Sequence, residues 1–255
     1  METYSVYLTR VTYKYTLYTS QQKLFTSGSH RMNHAENPKP SPKKRRLLTA
    51  QGIVGKAIEL ADEGGFDALS MRKLAGSLDV TAMSLYNHVA GKDELLDLML
   101  NQVVAEIESP TIGGAWDEMM RRRANSMRQA LLRHRWASTH LISKITMGAQ
   151  VLRDIDATVG CLVTAGFTYA QADWARNAID SHVYGYTMQE LNIPVQPDEY
   201  RAAAARYLPN ISKTEYPFMH GAAVAIAEGA YDGVNEFGFG LELVLDGLKR
   251  WIGKA

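Results

Sequence analysis

From Leu47 to the C-terminus the apolar residues recur with the period of a helix, and no segment after Met32 alternates as a half-buried strand must. That regularity restricts the fold to helix packed on helix. Ile53, Val54, Ala57, Leu60 and Ala61 make one stripe, with Thr49 as N-cap and Gly64-Gly65 as stop. A second short helix opens after Ser70, with Met71, Leu74, Ala75 and Leu78 inside. Asp79-Val80 is a turn. Thr81 caps a third helix running to about Val89, before the break at Gly91. A fourth runs from Lys92 to about Glu108. Longer helices follow over about Trp116–Arg135, Ser138–Met147, Val151–Ala165 and Ala170–Leu191. Pro197, Pro209 and Pro217 frame a loop-rich stretch with one short helix near Glu199–Tyr207, and a final helix spans about Glu236–Ile252.

The 255 residues are 46% hydrophobic and 22% charged with a net charge of +1, too apolar and too balanced for general disorder. No apolar run approaches the ~18 residues that would span a membrane. Cys161, the single cysteine, excludes an internal disulfide and a multi-cysteine zinc cluster, and fits a reducing cytoplasm. Charge and punctuation divide the chain in three. Residues 1–42 read as a disordered extension. Its tyrosine-rich opening lacks a signal-peptide core, and the reading places the biological start at Met32, with a native disordered tail as the alternative. Residues 43–108 begin with the basic run Lys43, Lys44, Arg45, Arg46 and hold the short helices. Residues 109–255 form a charge-balanced helical domain.

The short helices, the last two joined by a tight turn, have the layout of a helix-turn-helix. In the third, Leu85 and Val89 should pack inward against Leu74 and Leu78. That leaves Ala82, Met83, Ser84, Tyr86, Asn87 and His88 on or near the outside. Small and hydrogen-bonding side chains on an exposed helix suit a major groove. Lys92 combines an ammonium with a helix N-terminus, a pairing suited to a phosphate. Arg72 and Lys73 add cations to the first turn of the second helix, where it would cross the DNA backbone.

Thr49–Leu98 resembles the DNA-binding domain of the tetracycline-repressor (TetR) family of bacterial regulators. The residues that carry the likeness are Ser84-Leu85-Tyr86-Asn87-His88-Val89 and Gly91-Lys92-Asp93-Glu94-Leu95. The resemblance implies that Tyr86, His88 and Lys92 hold DNA phosphates. It also implies that Thr81, Ala82, Met83 and Ser84, with Asn87, face the bases. Arg72 sits where the family makes groove or backbone contacts, and Ser70 at a capping position that also touches phosphate. Two departures stand out. Asp79 occupies a turn position where glycine is common, although Asp tolerates a left-handed backbone. Ala82 and Met83 hydrogen-bond poorly, so thymine methyls are their natural targets.

Phe237–Leu248 resembles, less specifically, the last helix of the tetracycline-repressor-type ligand-binding domain. There the final helix and the long helix two before it form a four-helix dimer interface. Phe237, Leu241, Val244, Leu245, Leu248, Trp251 and Ile252 make one stripe, while Phe239 and Leu243 are apolar on another side. A helix apolar on two sides needs two burial partners. The resemblance therefore implies an all-α homodimer joined near Ala170–Leu191 and Glu236–Ile252. It would act as a repressor on palindromic operator DNA, released by a small-molecule effector. On the long helix, Trp174, Asn177, His182 and Tyr186 are the candidate ligand contacts. His134, His140, His182 and His220 lack metal-ligand spacing and read as core or pocket histidines, so neither metal nor cofactor is expected. An all-α enzyme is the competing class, but the chain lacks Walker, nucleophile-elbow, zincin and dinucleotide motifs. A helix-turn-helix activator, or a binder without small-molecule control, is the other alternative.

Overall fold

The computed structural model describes residues 48–144, 147–193, 199–231 and 236–252. The extension 1–42 and the basic run Lys43–Arg46 lie outside them. The described helices are α1 (Ala50–Gly64), α2 (Met71–Ser77), α3 (Ala82–Tyr86), α4 (Lys92–Val104), α5 (Trp116–Arg133) and α6 (Ala137–Ser143). After these come α7 (Ala149–Thr164), α8 (Tyr169–Asn192), α9 (Tyr200–Tyr207), α10 (Pro217–Glu228) and α11 (Phe237–Lys249). The described residues include no strand.

Local chemistry sets the first three helices. Thr49 accepts from the Gly52 N–H, Ser70 from Lys73 and Thr81 from Ser84, so each N-terminus is capped by its own side chain. Gly65, at φ 79°, ends α1 in a region closed to most side chains. Asp79, at φ 55°, turns α2 into α3, so the carboxylate residue takes the left-handed backbone expected of that position. Leu74, Leu85, Val89 and Leu95 bury together with Ile53 and Leu69 as the core of this cluster.

Several boundaries differ from the sequence reading. Helix α3 stops at Tyr86 rather than Val89. The Leu85 carbonyl accepts both from the His88 N–H three residues on and from the Val89 N–H four residues on, so the spiral tightens in its last turn while Val89 is buried. Met71 and Leu78 are only half-buried, because a seven-residue α2 lets just Leu74 and Ala75 reach the core. Helix α4 ends at Val104, with Ile107 buried in the turn beyond it. Helix α10 begins in the stretch that the prolines mark as loop-rich. Its proline occupies the first turn, where a missing N–H costs nothing, so Pro217 starts a helix instead of interrupting one. Among the described residues two α-helices therefore lie between α8 and α11, not one.

Helix α4 packs on α1 and on α5, α6 and α7, which makes it the physical link between the α1–α3 cluster and the C-terminal bundle. In the bundle, α8 packs on α5, α7 and α11. Gly240 allows the α8–α11 approach: a Cβ there would stand 2.4 Å from His182 Cε1. Helices α9 and α10 pack chiefly on each other.

Candidate nucleic-acid interface

Short as it is, α3 presents its side chains as the helix-turn-helix pattern demands. Met83 is 73% exposed and Tyr86 48% exposed, and Asn87 and His88 are exposed beside them. Ala82 and Ser84 are half-buried. The hydroxyls of Thr81 and Ser84 share a hydrogen bond of 2.9 Å, so the cap and the residue it faces are tied together. Leu85, fully buried, anchors the helix from behind. Arg72 is exposed in the first turn of α2. Ser70 caps that same helix.

Lys92 begins α4 directly after Gly91, with Asp93 and Glu94 in the same turn. Glu94 is turned back to accept the Ala90 N–H, which fastens the α3–α4 connection. The Lys92 ammonium lies over the Phe66 ring, 4.5 Å from its centroid. The structure thus places Ser70, Arg72, Thr81, Ala82, Met83, Ser84, Tyr86, Asn87, His88 and Lys92 on α2 and α3 with their N-caps, in the turn after α3 and at the start of α4.

The four candidate ligand contacts on α8 are not brought to one place. Trp174 lines a shallow recess of about 190 Å³ with Phe167, Gln171, Ala178, Leu248 and Trp251. Asn177 is exposed, its amide donating to the Asp173 carbonyl one turn back. His182 donates through Nε2 to the Phe237 carbonyl at 3.0 Å and stacks on the Phe237 ring. Tyr186 meets the same ring edge-on at 5.2 Å, with the Arg128 guanidinium over both Tyr186 and Phe237. His182 and Tyr186 are thereby fastened into the α8–α11 packing.

Sequence reasoning missed the buried charges of the bundle. Arg123, 3% exposed, donates to both Asp154 oxygens at 3.0 and 2.7 Å and to Asp180 at 2.6 Å. Burial opposes its charge, but Asp180 and Asp154 outweigh that and hold the guanidinium even more firmly protonated than usual. Burial, aided by Asp180, likewise pushes the Tyr184 phenol well up. A second cluster joins domains. His134 lies between Asp62 of α1, at 2.9 Å, and Glu106 beyond α4, at 3.0 Å, while the Trp136 indole donates to Asp62 at 2.7 Å. No local pattern marks the pairings of Arg123, His134 and Trp136, since each partner named for them lies at least 28 positions away.

Residues 53–99 match the family model of bacterial regulatory proteins of the tetR family, and residues 109–252 that of the tetracyclin repressor-like C-terminal domain. An HTH-type transcriptional regulator of Saccharopolyspora erythraea is 34% identical over 187 residues, 72% of this chain and 78% of its own length. The HTH-type transcriptional repressor DrrR1 of Streptomyces coeruleorubidus is 29% identical over 222 residues, 83% of this chain and 81% of its own. Among solved structures, Streptomyces coelicolor ActR in complex with actinorhodin is similar with a TM-score of 0.69 at 28% identity, covering 82% of this chain and 98% of that one.

Proposed function

The chain belongs to the TetR family of bacterial transcriptional regulators, and from that premise we propose that it is a homodimeric repressor released from a palindromic operator by a small molecule. The observation that carries the DNA half is the outward side of α3, backed by Lys92 at the start of α4. Residues 43–108 are the DNA-binding domain in this reading, and residues 109–255 the ligand-binding and dimerisation domain. Ser70, Tyr86, His88 and Lys92 meet phosphates and set register. Thr81, Ala82, Met83, Ser84 and Asn87 meet bases, and Arg72 reaches the groove edge. A two-fold dimer sets its recognition helices about 34–36 Å apart, one turn of DNA, which is why the operator would be palindromic.

The dimer half is supported by Trp174 on α8 and Phe239, Leu243 and Trp251 on or just after α11, all more than half exposed in the single chain. Large apolar side chains grouped on adjoining helices call for a second burial partner, and a second protomer supplies one. The effector half is supported by α4, which touches both the reading helices and the bundle. An effector that favours the non-binding spacing about 100-fold contributes roughly 2.7 kcal/mol, enough to empty most operators. ActR, solved with actinorhodin, makes that molecule the first to screen. No helix among the described residues is long and apolar enough to cross a membrane, and the proposed place of action is the cytoplasm. A footprint on the DNA flanking its own gene, repeated with candidate effectors, tests the whole reading. One protected palindrome, lost on adding an effector, is expected. Protection without sequence preference would overturn it.

A further inference from the structure

Phe66 lies in the loop between α1 and α2, only 8% exposed and off the outward face of α3. Two side chains of the bundle grip its ring. Trp136 stacks on it at 6.1 Å with an interplanar angle of 27°, and His140 meets it edge-on at 4.8 Å. Trp136 is itself tied through its indole N–H to Asp62, and the His134 imidazole spans from Asp62 to Glu106. On this held ring stands the Lys92 ammonium, 4.5 Å from the centroid. We propose that Phe66 is a positioning residue for DNA binding: its ring places the Lys92 ammonium for a backbone phosphate, and Trp136 and His140 subject that placement to the effector domain.

The chemistry favours a ring over any other partner. A lysine is a point charge on a flexible four-carbon stem, so at an exposed helix start its ammonium would sample many positions. A carboxylate would localise it but cancel the charge a phosphate needs. The face of an aromatic ring attracts the cation through its quadrupole and leaves the charge and N–H donors for a second partner. Neither first-turn carboxylate forms an ion pair with it among the described residues, and that of Glu94 is turned back to accept the Ala90 N–H. Trp136 is the N-cap of α6 and His140 lies within it, and its C-cap Lys144 pairs with Asp97 of α4. A shift of α6 therefore moves the ring beneath Lys92 as well as α4 itself.

The inference rests on the reading that Lys92 meets a phosphate, and the experiment separates the two. The full-length protein is titrated, over a range of salt, with the duplex that the wild type selects from a random library. Lys92→Ala should weaken binding about tenfold and lower the salt slope by about one. Phe66→Leu should weaken binding several-fold and move the slope toward that of Lys92→Ala, Phe66→Tyr should stay at wild type, and the double variant K92A/F66L should bind no worse than K92A. Trp136→Leu should repeat the Phe66→Leu result in milder form. A Phe66→Leu protein with wild-type slope, or a double variant whose losses multiply, overturns the positioning role while leaving the phosphate reading intact. An unchanged slope in Lys92→Ala overturns both.

Discussion

In the α1–α4 region the large, fully buried side chains are all apolar: Ile53, Leu69, Leu74, Leu85, Leu95, Met99 and Leu100. The bundle buries Met120, Met127, Leu162 and Ile179 in the same way, yet sets Arg123, Asp154, Asp180, Thr158 and Thr187 among them. The difference is one of what each region must specify. A small reading head needs a rigid shape and its cations outside, and shape complementarity alone provides that. In the bundle, one guanidinium joins α5 to α7 and α8 at once, fixing their register through directional bonds that apolar contacts cannot supply. The same charges make the bundle the more fragile region to a single substitution.

Three measurements bear on that contrast. Arg123→Met should have the largest effect, lowering stability by about 3–5 kcal/mol in denaturant unfolding, since Asp154 stays buried without a cation and Asp180 keeps only Arg176, at 3.3 Å. Replacing Asp154 and Asp180 by apolar residues as well should restore much of the loss. If the single variant is nearly neutral, the charge cluster does not hold the bundle. Leu85→Ala tests the apolar head and should cost about 2–4 kcal/mol, a loss set by the cavity and insensitive to salt. Marked salt dependence there would blur the contrast. The smallest effect belongs to the junction. Burial opposes the charged Glu106, but hydrogen bonds from Arg133 and His134 prevail and hold its carboxyl below the ordinary 4.5. Its contribution is therefore present above that value and lost as pH falls through the lowered one. Glu106→Gln should cost under about 1 kcal/mol at neutral pH and nothing in acid, where the two proteins should unfold alike.

Much of the head was legible because its signals are short-ranged. Thr49, Ser70 and Thr81 cap within three residues, Gly65 and Asp79 take turn conformations within one, and the recognition motif is a contiguous run. The end of α3 was not legible, since burying Val89 depends on what lies behind it. Helix α10 was obscured by a proline whose position in a helix, first turn or interior, cannot be told before the helix is known. Candidate ligand contacts chosen from one helix scattered, because Trp174, Asn177 and His182 differ in what packs opposite them.

The 3.6-residue period, the caps and the motif from Ser84 to Leu95 were enough to determine an all-α fold with a helix-turn-helix, because each depends on neighbours a few residues apart. Which of Arg121, Arg122 and Arg123 would be swallowed by the core was a matter for packing, as was the seating of Lys92 on Phe66. Those choices pair groups far apart in the chain, and burial makes a charge or a ring depend on whichever side chain the folded backbone carries to it.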